Sequence, residues 1–326
     1  MRDQMEGTER LGADPAVVGR AEAILRAACG DRVRTAYPLA PLTTFRIGGP
    51  AALFLEPQSE EDLRAAGEAV RSTGIPFAVL GKGSNVLVSD DGFPGLVIRL
   101  GKGFRWAARD GDRLRAGGSM PLPALAGVAL THGLAGLEFG VAIPATLGGA
   151  VRMNAGAHGH SLDEVVESVE VLSIVAGEAV AVPAGSAGFR YRGSVLPPDG
   201  VVAAATVALR PGDRTEIRSH MDDARRWRRE TQPLAEPNCG SVFKNPSGGH
   251  AARMIEEIGA KGASVGGASV STKHANFIVA APGTKAADVV ELIRRLQESV
   301  AERFAVRLEP EVHLVGRFDR APHPAG

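Results

Sequence analysis

Apolar positions change period several times along the chain, and each change marks an expected element. Between Ala16 and Ala28, Val17, Ala21, Ile24 and Leu25 fall near helical spacing and stop at Gly30, which predicts an N-terminal helix packed on the body. Ser59, followed three residues on by Asp62, reads as a helix start; Leu63, Ala66, Ala69 and Val70 then mark one face that ends near Gly74. Two β-prone runs come next, Phe77–Leu80 and Val86–Ser89, on either side of Gly81-Lys82-Gly83-Ser84-Asn85. This glycine loop therefore joins two strands. Neither a Rossmann fingerprint, whose glycines open a helix, nor the Gly-Lys-Ser/Thr of a P-loop is present. From Arg105 to Arg210 short strands alternate with the helical stretch Pro123–His132 and many glycines. Ile217, Met221, Ala224 and Trp227 mark a further amphipathic helix, and a domain boundary is expected near Pro211–Asp213. The last strong helix, Ala286–Phe304, carries Val289, Val290, Ile293, Leu296 and Val300 on one face and leads into a strand, Val312–Val315. The tail after Phe318 is expected to fray.

Length and composition narrow the class. A chain of 326 residues with 44% hydrophobic residues can bury more than one core. Lys+Arg 37 against Asp+Glu 37 leaves no net field to attract nucleic acid or an anionic membrane, so an anionic ligand must be caught in a local pocket. Met1–Asp14 is polar, of mixed charge and without an apolar core, which predicts neither a signal peptide nor an anchor. The longest apolar stretch, Val201–Leu209, is far short of the ~20 residues that cross a bilayer. Cys29 and Cys239 have no CxxC spacing, which argues against a disulfide framework or a zinc site and favours a reducing, cytoplasmic compartment. His158 and His160 lack the spacing and further ligands of a metal centre, so no metal is expected.

Five segments carry the candidate chemistry. Thr43-Thr44-Phe45-Arg46-Ile47-Gly48-Gly49-Pro50-Ala51 pairs glycines that permit close backbone approach with an arginine suited to phosphate. Leu80–Leu87 presents successive backbone N–H groups unobstructed by side chains, the arrangement of an anion-binding nest. Gly136–Ala150, followed by Asn154–Gly159, is rich enough in small residues to pack against a large flat ligand, or simply against itself. The others are Phe189-Arg190-Tyr191-Arg192-Gly193-Ser194 and Pro237–Pro246, and Leu308-Glu309-Pro310-Glu311-Val312 closes the series. Taken singly, Arg192 suits a solvated arginine, Ser241 a turn hydroxyl and Glu311 a surface carboxylate.

In this order and spacing, and with Gly266–Ser271 and His274-Ala275-Asn276-Phe277, the segments closely resemble the UDP-N-acetylenolpyruvoylglucosamine reductases of bacterial peptidoglycan synthesis, from about Leu39 to Gly316. The resemblance implies an α+β fold: a two-lobed vanillyl-alcohol-oxidase-like FAD-binding domain over residues 39–211, with lobes of about 39–103 and 104–211. A third, α/β substrate-binding domain over 212–317 would follow, with 1–38 as an N-terminal extension and 318–326 as the tail. It implies noncovalent FAD held by Arg46, Ile47, Gly48, Gly49, Gly81, Lys82, Gly83, Ser84, Asn85, Val86, Ala142, Ile143, Pro144, Thr146, Gly148 and Gly149. The catalytic positions of the family fall on Arg192, Ser241 and Glu311, and Tyr191, Lys244, Asn245 and His274 match positions near the substrate. The ~49 residues from Arg192 to Ser241 leave little room for the tyrosine-bearing loop of one subclass, so the chain resembles the second subclass. Arg229-Glu230-Thr231-Gln232-Pro233 lacks the lysine that some relatives carry there; Lys244, Lys273 or Arg190 are its candidate substitutes.

The implied reaction makes sense of these residue types. NADPH passes hydride to FAD, and the reduced flavin passes it to the terminal carbon of the enolpyruvyl group of UDP-N-acetylglucosamine enolpyruvate, yielding UDP-N-acetylmuramate. The resulting substrate anion needs a fixed cation at its carboxylate, which suits Arg192 with Glu311 as a protonated or orienting partner. A proton must reach the adjacent carbon, and a serine hydroxyl within ~3 Å can supply it to so basic a centre. Substrate and NADPH are the expected partners; neither nucleic acid, membrane insertion nor an obligatory protein partner is expected. Rival readings are an FAD-dependent oxidase of an alcohol or hydroxy acid, which the serine and glutamate motifs oppose, and a flavin-binding protein without turnover, which would not require the Arg192, Ser241 and Glu311 set.

Overall fold

Asp14 starts the first helix by accepting the Ala16 amide at 2.8 Å, and Pro15 occupies a helical position where no N–H is needed. The computed structural model describes residues 12–319, 321 and 322; the expectations for Met1–Leu11 and for most of the tail after Phe318 fall outside them. Helix α1, Pro15–Cys29, buries Val18, Ala21, Leu25 and Cys29, and it packs on α2, Glu60–Thr73. The expected start of α2 is present: the Ser59 side chain accepts the Asp62 amide, and Gly74 closes the helix in the left-handed region that glycine enters without strain. Leu25 and Ala21 are fully buried in one core with Leu63, Ala66 and Ala69, so α1 is part of a core rather than a detached extension.

The described chain divides into two compact units. The first comprises the chain up to Ala36, Ala52–Lys82 and Gly95–Arg228. One of its sheets orders Val33–Pro38, Pro50–Leu55, Phe93–Ile98 and Phe77–Val79. The other is antiparallel, in the order Ala179–Pro183, Val166–Ser173, Gly200–Ala208, Arg113–Gly117 and Ala107–Asp110. Strand Gly200–Ala208 serves two cores. Val201 and Ala203 join the α1–α2 core, whereas Val202, Ala205 and Val207 join the core of α3, Leu122–Thr131, and α4, Leu147–Arg152. Pairing passes from Val171–Val202 to Glu170–Ala204, and this extra residue switches which alternate positions face each core.

Helix α5, Arg214–Thr231, begins directly after the expected boundary at Pro211–Asp213. Its Ile217, Met221 and Ala224 are buried in the α3–α4 core, which holds most of the helix in the first unit and moves the division to Arg228/Arg229. Trp227, expected on the same face, is 47% exposed and stands edge-on to His158 at 5.0 Å.

The second unit is assembled from Tyr37–Ala51, Gly83–Pro94 and the chain from Arg229 onward. Helix α6 is Ala251–Glu257, and α7, Ala286–Phe304, buries Val289, Val290, Ile293, Leu296 and Val300 as its apolar stripe predicts. An antiparallel sheet runs Asn238–Ser241, Phe277–Ala280, Ala268–Val270, Ser264–Val265. The strands on either side of the glycine loop do not pair with each other. Phe77–Val79 lies parallel to Phe93–Ile98, and Val86–Val88 lies parallel to His313–Val315 near the other end of the chain.

Candidate active site

In the second unit, Ser241 ends strand Asn238–Ser241 just past an irregularity in its pairing with Phe277–Ala280. The Asn238 side chain accepts the Gly240 amide at 2.9 Å, and Gly240 adopts φ +80°, a conformation suited to glycine. Such bulges re-aim the side chain that follows them. Beyond Ser241 the chain has backbone partners on both sides: the Val242 amide donates to Asn276 O at 2.9 Å, and Val242 O accepts the Glu311 amide at 2.7 Å. Ser241 and Glu311 are thereby brought together at the backbone, one residue out of step across a short ladder that continues with Lys244 N to Glu309 O at 2.9 Å.

The cofactor-loop residues of this unit join the same assembly. Thr44 N donates to Gly83 O at 2.9 Å and Asn238 N to Thr44 O at 3.2 Å, while Asn85 Nδ2 donates to Glu311 O at 3.1 Å. The paired glycines also have a packing role: a Cβ on Gly48 would stand 2.4 Å from Val88 Cβ, and one on Gly49 2.4 Å from Asp90 O. Gly83 likewise has no room, with Leu42 O at 2.2 Å. Their small size lets strand and loop backbones close on each other.

The remaining expected substrate residues of this unit have structural partners. Lys244 Nζ pairs with Glu309 Oε1 at 2.5 Å, and Asn245 Oδ1 accepts the Ala251 amide at 3.1 Å, capping the start of α6. His274 receives the Asn276 amide at Nδ1, 3.3 Å away, and burial holds its pKa below the ordinary imidazole value. Lys273 Nζ donates to Arg229 O at 2.5 Å. Burial, aided by the charge of Glu311, pushes the Cys239 thiol far above its usual range, which makes it a packing residue rather than a nucleophile.

The first unit carries the rest of the set. A cleft of about 300 Å³ in this unit is lined by Gly81, Lys82, Thr146, Gly148 and Gly149 together with Arg99, Lys102, Arg105 and Arg152. Thr146 caps α4 by accepting the Gly149 amide at 3.4 Å. Gly148 is needed for packing, since a Cβ would meet Val202 O at 3.0 Å and Gly118 O at 3.1 Å. At Gly149 a Cβ would meet, among the described residues outside its own helix backbone and chain neighbours, Thr146 Oγ1 at 3.4 Å and nothing else within 4 Å, so a side chain there would grow into the cleft. Small residues and several guanidinium and ammonium groups fit the diphosphate-bearing part of FAD. Ala142 ends the 3₁₀ turn Glu138–Ala142, and Ile143 and Pro144 lead from it to Thr146.

Arg192 also lies in the first unit, at φ +56°, with Nη2 donating to Gly156 O at 3.2 Å and its guanidinium 5.1 Å from the Tyr191 ring centre. Arg46, in the second unit, shares this uncommon conformation at φ +57°. A bulky residue held there costs of order 1 kcal/mol, a strain found disproportionately at functional sites. Two buried asparagines have roles that the sequence alone does not reveal. Asn154 donates to Arg190 O at 3.1 Å and accepts the Asp163 amide, whereas Asn276 brackets Phe243. An asparagine in a turn reads in sequence as an ordinary turn former, and only the fold reveals its remote partners.

Comparison with known proteins places this geometry. Residues 232–315 match the family model described as UDP-N-acetylenolpyruvoylglucosamine reductase, C-terminal domain, and residues 51–182 match an FAD binding domain. The UDP-N-acetylenolpyruvoylglucosamine reductase of Anaeromyxobacter dehalogenans (strain 2CP-C) is 45% identical over 295 residues, 90% of this chain and 89% of that protein. The chain belongs to the UDP-N-acetylenolpyruvoylglucosamine reductase family. The reductase of Halalkalibacterium halodurans is 40% identical over 90% of this chain and 97% of its own length. The crystal structure of the reductase from Thermus caldophilus matches with a TM-score of 0.76 at 38% identity, covering 87% of this chain and 99% of that one. The expected α+β fold with an FAD-binding domain and a C-terminal domain of this family follows.

Proposed function

We propose that this chain reduces UDP-N-acetylglucosamine enolpyruvate to UDP-N-acetylmuramate for peptidoglycan precursor synthesis, using noncovalent FAD and NADPH, with Arg192, Ser241 and Glu311 as its catalytic residues. The observation that carries the residue assignment is the ladder at Val242, whose carbonyl holds the Glu311 amide at 2.7 Å immediately after Ser241. Bound FAD supplies the two-electron carrier between NADPH and the substrate double bond. Gly81, Lys82, Ala142, Ile143, Pro144, Thr146, Gly148 and Gly149, with Arg46–Gly49 and Gly83–Val86, are its proposed binding residues.

The chain's own chemistry is then polar. Hydride arrival at the terminal carbon leaves negative charge on the adjacent carbon and its carboxylate. Arg192 grips the carboxylate through its planar fork, and Glu311 orients it. Ser241 gives its hydroxyl proton to the adjacent carbon, which converts the enol ether to a lactyl ether. Tyr191, Lys244, Asn245 and His274 remain proposed contributors to substrate binding; their Glu309 and Ala251 partners limit Lys244 and Asn245 to roles those contacts permit. Two buried free thiols, Cys29 and Cys239, suit a cytoplasmic setting, and among the described residues no helix is long and apolar enough to cross a membrane.

The deciding assay is substrate-dependent NADPH oxidation by protein replete with FAD. Consumption of NADPH only when the enolpyruvyl sugar nucleotide is added is the expected result. No consumption, or a preparation that neither retains nor takes up FAD, overturns the proposal.

A further inference from the structure

We infer that Asn276 is a positioning residue that sets Ser241 and Glu311 in register, an inference that rests on the proposed roles of those two residues. Asn276 is 4% exposed and lies in the turn between Ser271 and strand Phe277–Ala280. Its main-chain oxygen accepts the Val242 amide at 2.9 Å. Its side chain then takes both polar groups of the next residue: Oδ1 accepts Phe243 N at 2.9 Å, and Nδ2 donates to Phe243 O at 2.8 Å. One residue thus supplies three hydrogen bonds to consecutive positions, and its amide stands in for the strand that would otherwise continue the ladder. Without it, two main-chain groups of the fully buried Phe243 lose their side-chain partners, a costly arrangement away from water.

The opposite edge of the same segment faces the Leu308–Val312 stretch. Val242 O receives the Glu311 amide, Lys244 N donates to Glu309 O, and Phe243 bridges to Pro310. Residues 242–244 are therefore a narrow ribbon fixed by Asn276 on one side and carrying Glu311 on the other. Ser241 is its first residue's neighbour, placed by the bulge at Gly240. A shift of this ribbon moves the serine and the glutamate relative to one another while leaving each side chain chemically intact. Only a residue that holds the ribbon from outside can prevent this, and the amide of Asn276 has the required donor and acceptor in one plane.

The choice of asparagine is specific. Aspartate at 276 keeps the acceptor for Phe243 N but sets a second oxygen against Phe243 O, where the wild-type amide donates. Alanine removes both bonds. Neither variant alters a group assigned to touch substrate or flavin, so a chemical defect in either must arise through placement.

The test compares wild type, Asn276→Asp and Asn276→Ala as full-length, FAD-loaded protein, in anaerobic stopped flow at the flavin absorbance. Flavin reduction by NADPH is expected to stay within about twofold of wild type. Reoxidation by the enolpyruvyl sugar nucleotide is expected to fall by something like 10²-fold at saturation, the scale of an ångström-sized misplacement, with the half-saturating substrate concentration changed far less. A second measurement, hydrogen exchange resolved to the Phe243 and Glu311 amides, is expected to show both losing protection in each variant although residue 276 does not bond to Glu311. If a folded variant reoxidises at the wild-type rate, or if Glu311 keeps its protection while Phe243 loses it, Asn276 does not set the register. Equal slowing of both half-reactions in proportion to lost flavin also overturns the role, as it marks Asn276 as a fold residue only. Wild-type protein that NADPH reduces but the substrate fails to reoxidise counts against the proposed function instead, and the exchange measurement then still decides whether the two segments are coupled through Asn276.

Discussion

The side-chain Nδ2 of Asn85 donates to the main-chain oxygen of Glu311 at 3.1 Å, joining the glycine loop of the proposed cofactor site to the residue that carries the proposed catalytic carboxylate. Asn85 O also accepts the His313 amide at 3.0 Å, so this residue opens the parallel pairing of Val86–Val88 with His313–Val315. Asn85→Ala is expected to cost about 1 kcal/mol of stability for the lost bond. Asn85→Asp should be worse despite its matching shape, because it sets a carboxylate oxygen against a carbonyl oxygen. Thermal melts together with reoxidation rates check this order. An aspartate variant as stable and as fast as wild type would break the proposed link between loop and carboxylate.

Arg192 adopts φ +56° and donates to Gly156 O at 3.2 Å. Arg192→Lys keeps the charge but loses the fork that grips a carboxylate through two parallel bonds, so turnover is expected to fall by roughly 10²-fold, equivalent to about 3 kcal/mol of barrier. Arg192→Gly removes the side chain but suits the backbone, since left-handed geometry costs a non-glycine residue roughly 1–2 kcal/mol. It should be inactive yet within about 1 kcal/mol of wild-type stability. Denaturant titration and steady-state kinetics on both variants check this pair; wild-type kinetics in Arg192→Lys would remove Arg192 from the site.

Much of this was legible from local pattern, and the exceptions have physical causes. Helices α2 and α7 were readable because their stripes and termini agree: Ser59 and Gly74 bound the first, and five buried aliphatics run along the second. Helix α6 was not, since its seven residues bury only Ala251 and Ile255, too few to establish a period. The division between compact units is not legible in the sequence, because it depends on which core receives Ile217 and Met221, and because Tyr37–Ala51 and Gly83–Pro94 join the C-terminal unit from a distance. Gly48 and Gly49 could be found from sequence, but not their reason; chain packs against chain there at a separation no Cβ would allow. Asn276 was visible within a motif while its partners, 33 residues away, were not.

Burial lowers the His274 pKa, with nearby Lys261 lowering it further and Glu256 opposing. An imidazole that resists protonation when folded takes up its proton near the ordinary 6.5 when unfolded. Unfolded protein then binds more protons, so the stability linked to His274 is fully present above about pH 6.5 and is lost as pH falls through the depressed folded value. His274→Gln should therefore flatten the decline in melting temperature between pH 7.5 and 5.5. Melting curves of both proteins across that range provide the check, and superimposable pH profiles would exclude His274 as a contributor.

Ser241 provides the sharpest separation of chemistry from architecture. Its main chain belongs to a strand end shaped by Asn238 and Gly240, and neither contact involves the serine hydroxyl. Ser241→Ala should therefore keep the fold, the FAD content and the rate at which NADPH reduces the flavin. The hydroxyl is required only after hydride has reached the substrate, when the adjacent carbon must gain a proton. Loss of a positioned proton donor typically slows such a step by 10²–10⁴-fold, roughly 3 to 5 kcal/mol of barrier. Anaerobic stopped flow, one half-reaction per experiment, measures this on the reoxidation side alone. A serine whose role was structural would instead reduce flavin content and slow both halves together. Reoxidation of the alanine variant at the wild-type rate would mean that the proton comes from elsewhere, and with it the proposed division of labour between Ser241 and Glu311 would fail.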